Sequence, residues 1–442
     1  MKAINNLLKK LSLSNVTKNV SWILFQNVYT MLFGMILTGI VARYYGTEGY
    51  GIINFALSFV ALFSFIAIFG TNHIIIKDLS EKKYESGVVL GSNLFVRIIL
   101  AILALIFSQT FSLILYDKNI NLVILIFNIN TILCCSDIIA YYAQAKIENK
   151  YISIAKIVST TVFSVLKLLS VILECNIVLY SVTYLIETIV YSGLLYFSYK
   201  KIKGNSIIKW SINKDYIFNL LKKSRYYALS ALMVTIYMKI DQVMLGTIFP
   251  DKSQVGIYSA AVRIAEIWTF VPLSVITSYK PIVIKNKSVD SVAYNKSLQK
   301  LYNIVSLICF IFAIGVCVFG KLGISILYGN DYLSAYIPLV ILVFGIWVGV
   351  LGNIHYIWMT CENKEKYSLF YSFNGCFVNV ILNAFLIPKL GIIGAAIATV
   401  ISQIFSNIIA FFFIKDARSL SIMLLKSLNP FNGIKEIKRK GI

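Results

Sequence analysis

Long apolar stretches recur from one end of this chain to the other and are separated by short polar connections. Each stretch has about 20 residues, the length that a helix needs to cross a bilayer. We predict twelve spans, at about 22–42, 52–70, 91–113, 120–142, 157–174, 177–198, 226–248, 257–279, 301–319, 337–358, 369–387 and 392–414. Lipid offers the backbone no hydrogen-bond partner, and the sequence lacks the ten-residue alternation of a β-barrel, so the pattern predicts an all-α polytopic membrane protein.

The longest polar connection, 199–225, divides the chain into two halves of six spans each. Its lysines alternate with Ile, Trp and Phe, which predicts a helix on the cytoplasmic surface that acts as a hinge between two lobes. We therefore expect five segments: an interfacial helix at 1–20, a first lobe at 21–199, a basic linker at 200–225, a second lobe at 226–414 and a basic tail at 415–442.

The two halves repeat each other weakly. An offset of 205 residues lays Trp22–Val60 over Tyr227–Ala265, where span, interruption and span coincide although few residues match. A parallel repeat predicts two six-helix lobes related by a pseudo-two-fold axis around a central cavity. In the interruption "RYYGTEGYGIINFALSF" we expect the glycines to form a tight turn, and the offset makes Gly51 and Gly256 equivalent turn residues.

Composition and charge support a membrane location. The chain is 58% apolar and 14% charged, whereas soluble globular proteins are roughly 45–50% apolar and about 25% charged. The net charge is +22, with 41 lysines and arginines against 19 acids. Most of these lysines and arginines fall in alternate connections, on the side of the membrane that carries both termini. By the positive-inside rule both termini face the cytoplasm, and the excess favours contact with anionic lipid over nucleic acid.

Cofactor chemistry is not indicated. The seven cysteines lie in or beside apolar spans without the spacing of a metal site, and the two histidines are far apart. We therefore expect no metal and no cofactor.

Ionisable residues inside the spans carry most of the functional signal, because each costs about 2.5–3.5 kcal/mol on insertion scales. They are Arg97, Asp137, Lys167, Glu187, Lys239, Asp241, Arg263 and Glu266, with Arg43 and Lys280 at span ends. Lys239 and Asp241 are two residues apart and face nearly opposite directions, so each needs a partner elsewhere. Arg97 and Lys167 have no acid one turn away, which favours a wet cavity of positive character.

Two helical faces group several polar residues. Tyr180, Tyr184, Glu187 and Tyr191 share one face of the sixth span, and Ser259, Arg263 and Glu266 share one face of the eighth. A tyrosine stripe with a carboxylate suits sugar hydroxyls, with helix packing as the alternative, and Arg263 with Glu266 is alternatively an intrahelical ion pair.

At "RYYGTEGYGIINFALSF", and again at "KIDQVMLGTIFPDKSQVGIYSAAVRIAEIW" (239–268), the chain resembles the polysaccharide and O-antigen flippases of the multidrug/oligosaccharidyl-lipid/polysaccharide exporter superfamily. An Asp in the seventh span followed by "VGIYSAA", an Arg and a Glu carries the resemblance. The resemblance implies a V-shaped transporter, not an enzyme. Its function would be to move undecaprenyl-diphosphate-linked oligosaccharide from the inner to the outer leaflet of the bacterial inner membrane by alternating access, for O-antigen, lipopolysaccharide, capsule or exopolysaccharide synthesis.

The resemblance also implies roles for residues. Matching motif positions are Arg43, Gly51, Asp241, Gly256, Tyr258, Ser259, Arg263 and Glu266. The expected contacts to the diphosphate are Arg43 and Arg263 by motif, together with Arg97, Lys167, Lys239 and Lys280, which are chosen for their positive charge in or beside the spans. The expected contacts to the glycan are Tyr180, Tyr184, Tyr191, Tyr258 and Ser259. The expected groups for cation coupling or charge pairing are Asp137, Glu187, Asp241 and Glu266. Expected partners are the lipid-linked oligosaccharide, membrane lipids, and the polymerase and chain-length proteins of the same pathway, with no nucleic acid.

Three other functions stay open from the sequence. A drug/cation antiporter of the same superfamily predicts a more acidic or apolar cavity. A membrane polysaccharide polymerase or glycosyltransferase needs larger outward loops than this chain offers. A structural scaffold would tolerate neutralisation of the buried charges. Relatives that export lipid II usually have fourteen spans, so twelve spans argue against that branch.

Overall fold

The computed structural model describes residues 2–204, 208–288, 290–364 and 366–438, except for the side chains at 2–20, 73, 366 and 437–438. The first helices are α1 Lys2–Ile68, α2 Thr71–Glu81, α3 Ser86–Leu115, α4 Lys118–Leu133, α5 Ile138–Ala145, α6 Asn149–Ile172 and α7 Ile177–Lys203, with a 3-10 turn at Cys134–Asp137. The others are α8 Lys214–Ile248, α9 Ser253–Ile267, α10 Phe270–Lys287, α11 Ser291–Tyr328, α12 Tyr336–Cys361, α13 Lys366–Ile404, α14 Ala410–Phe413, α15 Arg418–Ser427 and α16 Pro430–Lys438. A 3-10 segment lies at Asn330–Ala335 and a π-helical one at Phe405–Ile409.

The number of membrane crossings agrees with the sequence prediction. Within the described residues, ten helical segments are long and apolar enough to cross a bilayer. Two of them, Ser21–Ile68 and Tyr367–Phe413, have 48 and 47 residues, which is enough for two crossings each. Each is interrupted by one glycine with positive φ, at Gly46 and at Gly391. Both interruptions fall between predicted spans, so twelve crossings result and the predicted all-α fold is confirmed.

Gly51 and Gly256 lie inside helices and not at a turn, so their assignment as turn residues is wrong. The chain changes direction at Gly46, whose φ of 67° favours glycine. A Cβ on Gly51 would collide with the carbonyl oxygen of Lys252, and a Cβ on Gly256 would collide with that of Thr47. These glycines therefore permit a close and reciprocal crossing of two helices. The positions that the repeat makes equivalent are in contact with each other.

The linker predicted at 200–225 is helical at both ends, where α7 ends at Lys203 and α8 begins at Lys214, but residues 208–213 between them are not helical. Residues 208–213 have no regular secondary structure and lie against α3, where the Ser211 amide donates to the Gly87 carbonyl at 3.2 Å. A Cβ on Gly87 or Gly91 would collide with the linker backbone. The Trp210 indole donates to the Tyr199 hydroxyl at 2.8 Å. Because two glycines of another helix create this groove, the linker is fixed along α3; residues 205–207 lie outside the described part of the chain.

The chain divides into two compact units. Unit 1 holds the chain up to Tyr45 together with Ala56–Leu232, and unit 2 holds Gly46–Phe55 together with the chain from Met233 onwards. Unit 1 has a core of α2, α3, α5, α7 and the start of α8, and unit 2 has a core in which α11 and α12 pack together. The short segment Gly46–Phe55 therefore belongs to unit 2, although its neighbours on both sides in the chain belong to unit 1.

Outside the spans, an ion pair joins the end of α12 to the start of α15. Lys364 Nζ donates to Asp416 Oδ2 at 2.6 Å, and this hydrogen bond raises the pKa of Lys364. In the same region the Ser421 hydroxyl of α15 donates to the Ile408 carbonyl at 2.8 Å. This hydrogen bond attaches α15 to the π-helical segment Phe405–Ile409.

Candidate functional site

Unit 1 contains a polar pocket of about 400 Å³. Its polar lining comes from α1, the 3-10 turn, α5, α6 and α7, and comprises Gln26, Asp137, Tyr141, Gln144, Asn149, Ser153, Lys156, Glu187, Thr188 and Tyr191. The α6 residues Asn149, Ile152, Ser153 and Lys156 all line it because their spacing of three and four places them on one helical face. We call this cavity the unit 1 pocket.

Charges of both signs face the unit 1 pocket. Lys156 Nζ lies 3.4 Å from Glu187 Oε1 and 5.0 Å from the centre of the Tyr191 ring. Asp137 is half-buried and lies within electrostatic reach of Lys156 and Arg97. Two acids, one lysine and a nearby arginine leave the pocket close to neutral. The lining of this pocket therefore has no excess of positive charge.

Arg97 is 3% exposed and lies beside Tyr141, one of the residues that line the unit 1 pocket. Its Nε donates to the Thr71 hydroxyl at 2.9 Å, and its guanidinium lies 5.0 Å from the centre of the Tyr141 ring. In the described part of the chain, Nη2 of Arg97 has no hydrogen-bond partner. Because Tyr141 lines the pocket, the contact with Arg97 helps to hold this part of the lining in place.

The predicted tyrosine stripe divides into two parts. Tyr191 lines the unit 1 pocket, whereas Tyr180 and Tyr184 pack against other rings, with their own ring centres 5.9 Å apart. Lys167 is 8% exposed, and its Nζ lies 4.2 Å from the Phe163 ring and 5.4 Å from the Tyr184 ring. A cation over aromatic faces is stabilised where water is excluded. For Tyr180 and Tyr184, this environment matches the packing alternative.

Unit 2 contains a second polar centre around Asp241, which is 6% exposed. The Asp241 carboxylate accepts hydrogen bonds from Tyr258 at 2.6 Å, from Thr399 at 2.5 Å and from the Asn383 amide at 2.5 Å. Asn383 also donates to Asn379 Oδ1 at 3.1 Å. Helices α8, α9 and α13 thus meet at one carboxylate. We call these five residues the Asp241 cluster.

Three further predicted residues lie in unit 2 near one another. Lys239 and Glu266 are half-buried, Arg263 is exposed, and both cations act electrostatically on Glu266. Across the described residues, no ion pair within 4 Å joins either cation to Glu266. Ser259, one turn before Arg263, is buried, and its hydroxyl has no partner among the side chains and backbone that the structure describes. Glu266 is therefore near both cations without a close ion pair to either.

Arg43 and Lys280 are both exposed, in unit 1 and unit 2 respectively. Arg43 precedes the break at Gly46, and Lys280 lies in α10. The exposed ammonium group of Lys280 can therefore contact lipid headgroups as well as a substrate.

Sequence reasoning missed Lys156, Thr399, Gln403 and Asn407. Lys156 stood at the end of a polar connection, but it lies on the same helical face as Asn149 and Ser153. Thr399, Gln403 and Asn407 follow one another at intervals of four in an otherwise apolar span. Such spacing is the signal that would have placed them on one face.

The comparison with known families is decisive for the family of this chain. A family model described as "Polysaccharide biosynthesis protein" matches residues 16–287. The chain belongs to this family. The resemblance to polysaccharide flippases that the two motifs indicate is thereby confirmed.

Two curated relatives come from Haloferax volcanii. The "Probable flippase AglR" is 31% identical over 209 residues, which is 43% of this chain and 41% of that protein. The "Probable low-salt glycan biosynthesis flippase Agl15" is 26% identical over 228 residues, 49% of this chain and 46% of that protein. The chain thus spans less than half the length of the curated relatives it matches.

Solved structures share the fold over almost the whole chain. The "Lipid II flippase MurJ, inward closed conformation" has a TM-score of 0.70 at 16% identity and covers 96% of both chains. A multidrug resistance MATE family transporter of the MOP superfamily, in its inward-facing conformation, has a TM-score of 0.66 at 13% identity and covers 93% of this chain and 96% of its own. At such low identity the likeness shows the fold alone. The relatives named here are flippases or transporters, which supports the prediction of a transporter over an enzyme.

Proposed function

We propose that the chain is a flippase that moves a lipid-linked oligosaccharide from the inner to the outer leaflet of a bacterial cytoplasmic membrane, with both termini on the cytoplasmic side. The lipid is undecaprenyl diphosphate, and the glycan is a repeat unit of a surface polysaccharide. The observation that carries this proposal is the unit 1 pocket. Membership of the polysaccharide biosynthesis family and the flippase relatives support it.

The lining of the unit 1 pocket suits an uncharged glycan. A sugar presents many hydroxyl groups, which need both donors and acceptors once water is removed. Glu187 and Asp137 accept, Lys156 donates, and Gln144 does both. The ring of Tyr191 adds an apolar face. A drug/cation antiporter would need an apolar or acidic cavity, so the balanced charge favours the glycan.

The diphosphate needs cations that remain accessible. Arg263 and Lys280 in unit 2 are exposed, whereas Arg97 and Lys167 are enclosed by unit 1. Exposed guanidinium and ammonium groups form short, charge-assisted hydrogen bonds with phosphate oxygens. We therefore assign the diphosphate to exposed cations such as Arg263, and a supporting role to Arg97 and Lys167.

Transport is coupled, in this proposal, to a monovalent cation or a proton at the Asp241 cluster. Oxygen atoms of one carboxylate, two amides and two hydroxyls converge there, a donor set suited to a hard cation of low charge. Oδ1 of Asn383 is buried and, in the part of the chain that the structure describes, has no hydrogen-bond partner. An unpartnered acceptor beside a carboxylate is a ready ligand for such a cation.

The pocket is tested by Lys156→Met and Glu187→Gln in cells that depend on this chain for surface-glycan export. A hydrogen bond to a charged group contributes about 1.5–3 kcal/mol, so we expect each variant to lower export about tenfold or more. The measurement is the amount of surface glycan at equal membrane abundance of the protein.

Lys77→Met and Glu81→Gln are the matched controls, because this pair lies on the surface of the same unit, with Nζ and Oε1 3.8 Å apart. Exposed pairs contribute little, so export should stay at the wild-type level. Normal export by both pocket variants would refute the assignment of the pocket to the glycan.

A further inference from the structure

A line of buried and half-buried polar side chains leads away from the Asp241 cluster through unit 2. Its members come from α8, α11, α12, α13 and the π-helical segment, and each is polar or aromatic with a polar end. We call it the polar file, and it consists of Tyr237, Gln403, Asn407, His355, Tyr302 and Tyr294. Neither the sequence motifs nor the proposed function assigns a role to it.

The polar file begins one helical turn from Asp241. The Tyr237 hydroxyl is buried and has Asp241, Tyr371 and Gln403 as polar neighbours. No described residue forms a hydrogen bond with it. In the last span, Gln403 and Asn407 follow Thr399 of the Asp241 cluster at intervals of four residues. The Asn407 amide donates to Gln403 Oε1 at 2.9 Å. Hydrogen-bonding groups thus continue directly from the carboxylate.

Helix α12 makes room for these amides. A Cβ on Gly349 would lie 2.8 Å from Gln403 Oε1, and a Cβ on Gly352 would collide with Asn407 Oδ1. Asn407 also lies in the π-helical segment Phe405–Ile409. Single π-helical turns in helices occur frequently at functional sites. Two glycines and a π-helical turn are therefore needed to accommodate the amides of Gln403 and Asn407. Apolar side chains at these positions would not require this departure from regular helix.

His355 follows Gly352 by one turn and is 1% exposed. Its ring lies 4.4 Å from the Phe411 ring and 6.1 Å from the Tyr302 ring, measured between centres. Over the described chain neither ring nitrogen has a hydrogen-bond partner, and the same holds for the hydroxyl of Tyr302. Each unpartnered buried polar group costs about 1–3 kcal/mol. Several in one place indicate that water reaches them.

The polar file ends at a surface ion pair. Tyr294 has Cys361 and Glu362 as neighbours, and Lys287 Nζ lies 4.9 Å from the centre of its ring. Lys287 and Glu362 form an ion pair whose side chains are 40% and 25% exposed. These residues belong to connections that the distribution of lysines assigns to the cytoplasm. The file therefore joins the Asp241 cluster to that side.

We propose that the polar file is a hydrated access route by which the coupling cation passes between the cytoplasmic end of unit 2 and Asp241. The proposal rests on the ion coupling in the proposed function. The hydroxyl, amide and imidazole groups hold a chain of water molecules that solvate a small cation through a core otherwise made of aliphatic and aromatic side chains. The file contains no fixed charge between its ends, so the ion is not trapped on the way.

Hydroxyl-radical footprinting of the unmodified full-length protein in lipid vesicles tests this route. Radicals formed from water molecules held in the interior oxidise the side chains next to those molecules. We expect Tyr302 and His355 to be oxidised about tenfold faster than Trp347. Trp347 is an intrinsically reactive control that is 7% exposed and donates from Nε1 to the Ser306 hydroxyl at 3.0 Å. Equal protection of all three would overturn the proposal.

A substitution gives a second, independent outcome. His355→Leu replaces the imidazole with an apolar group of similar size, so it should lower the oxidation of Tyr302 and Tyr294 about tenfold. Leu351→Ile, one turn away in the apolar core, should leave both rates unchanged. Unchanged rates in His355→Leu would contradict a continuous route. Because footprinting does not depend on glycan transport, a wet file without flipping would refute the flippase proposal and leave the route standing.

Discussion

At the scale of single residues, Asp241 is the most heavily hydrogen-bonded acid described in unit 2. Its three donors come from α9 and α13, which means that removal of its charge changes the surroundings of Tyr258, Thr399 and Asn383 together. Asp241→Asn keeps the volume and removes the charge. We expect it to abolish the acceleration of flipping by an imposed sodium or proton gradient, about tenfold or more. Flipping in vesicles with and without the gradient measures this.

Asp331→Asn is the control for that experiment. Asp331 is an exposed acid in the 3-10 segment of the same unit and lies outside the Asp241 cluster. Its loss changes the formal charge of the protein by the same amount, so the gradient should accelerate this variant as it does the wild type. Retained acceleration in Asp241→Asn would remove Asp241 from ion coupling.

Residue contacts were only partly predictable from the sequence. Asp241 was found because a carboxylate in a span is costly. Lys156 was missed because it stands at the polar edge of a span. Hydropathy separates charged from apolar positions along one helix, but it contains no information on which helix lies opposite.

At the scale of elements, the close packing between the Gly46–Phe55 segment and α9 can be tested by substitution of its two glycines. Gly51→Ala or Gly256→Ala places a methyl group against a backbone carbonyl, which no side-chain rotation relieves. Overpacking of this kind costs about 1–3 kcal/mol. We expect a lower midpoint of thermal unfolding in detergent and lower membrane abundance.

Gly315→Ala and Gly323→Ala are matched controls in α11, because no heavy atom lies within 4 Å of the added methyl group. Ala in a helix interior is favoured over Gly by roughly 0.5–1 kcal/mol, so their unfolding midpoint should be equal or higher. If Gly51→Ala and Gly256→Ala left the unfolding midpoint unchanged, the close contact of the two helices would be contradicted.

The elements show which parts of a membrane fold follow from sequence. The spans were predicted because their length and apolarity are set by the bilayer, and Gly46 and Gly391 interrupt the long helices where two spans were expected to separate. The course of residues 208–213 was not predicted, since it depends on contacts with Gly87 and Gly91 in a distant part of the chain. Ile208 and Trp210 of the linker pack against the core of unit 1.

At the scale of the whole molecule, the charge of the substrate predicts how the membrane potential acts on transport. A diphosphate headgroup carries about two negative charges, and an inside-negative potential of 100 mV contributes about 2.3 kcal/mol per charge, hence about 4–5 kcal/mol for outward movement. We expect an inside-negative potential to accelerate flipping in reconstituted vesicles and an inside-positive one to slow it. Because this charge belongs to the substrate, Asp241→Asn should retain the effect of potential while losing that of the ion gradient. Flipping that ignores the sign of the potential would show that the headgroup charge is compensated within the protein, and the ion gradient would then be the sole driving force.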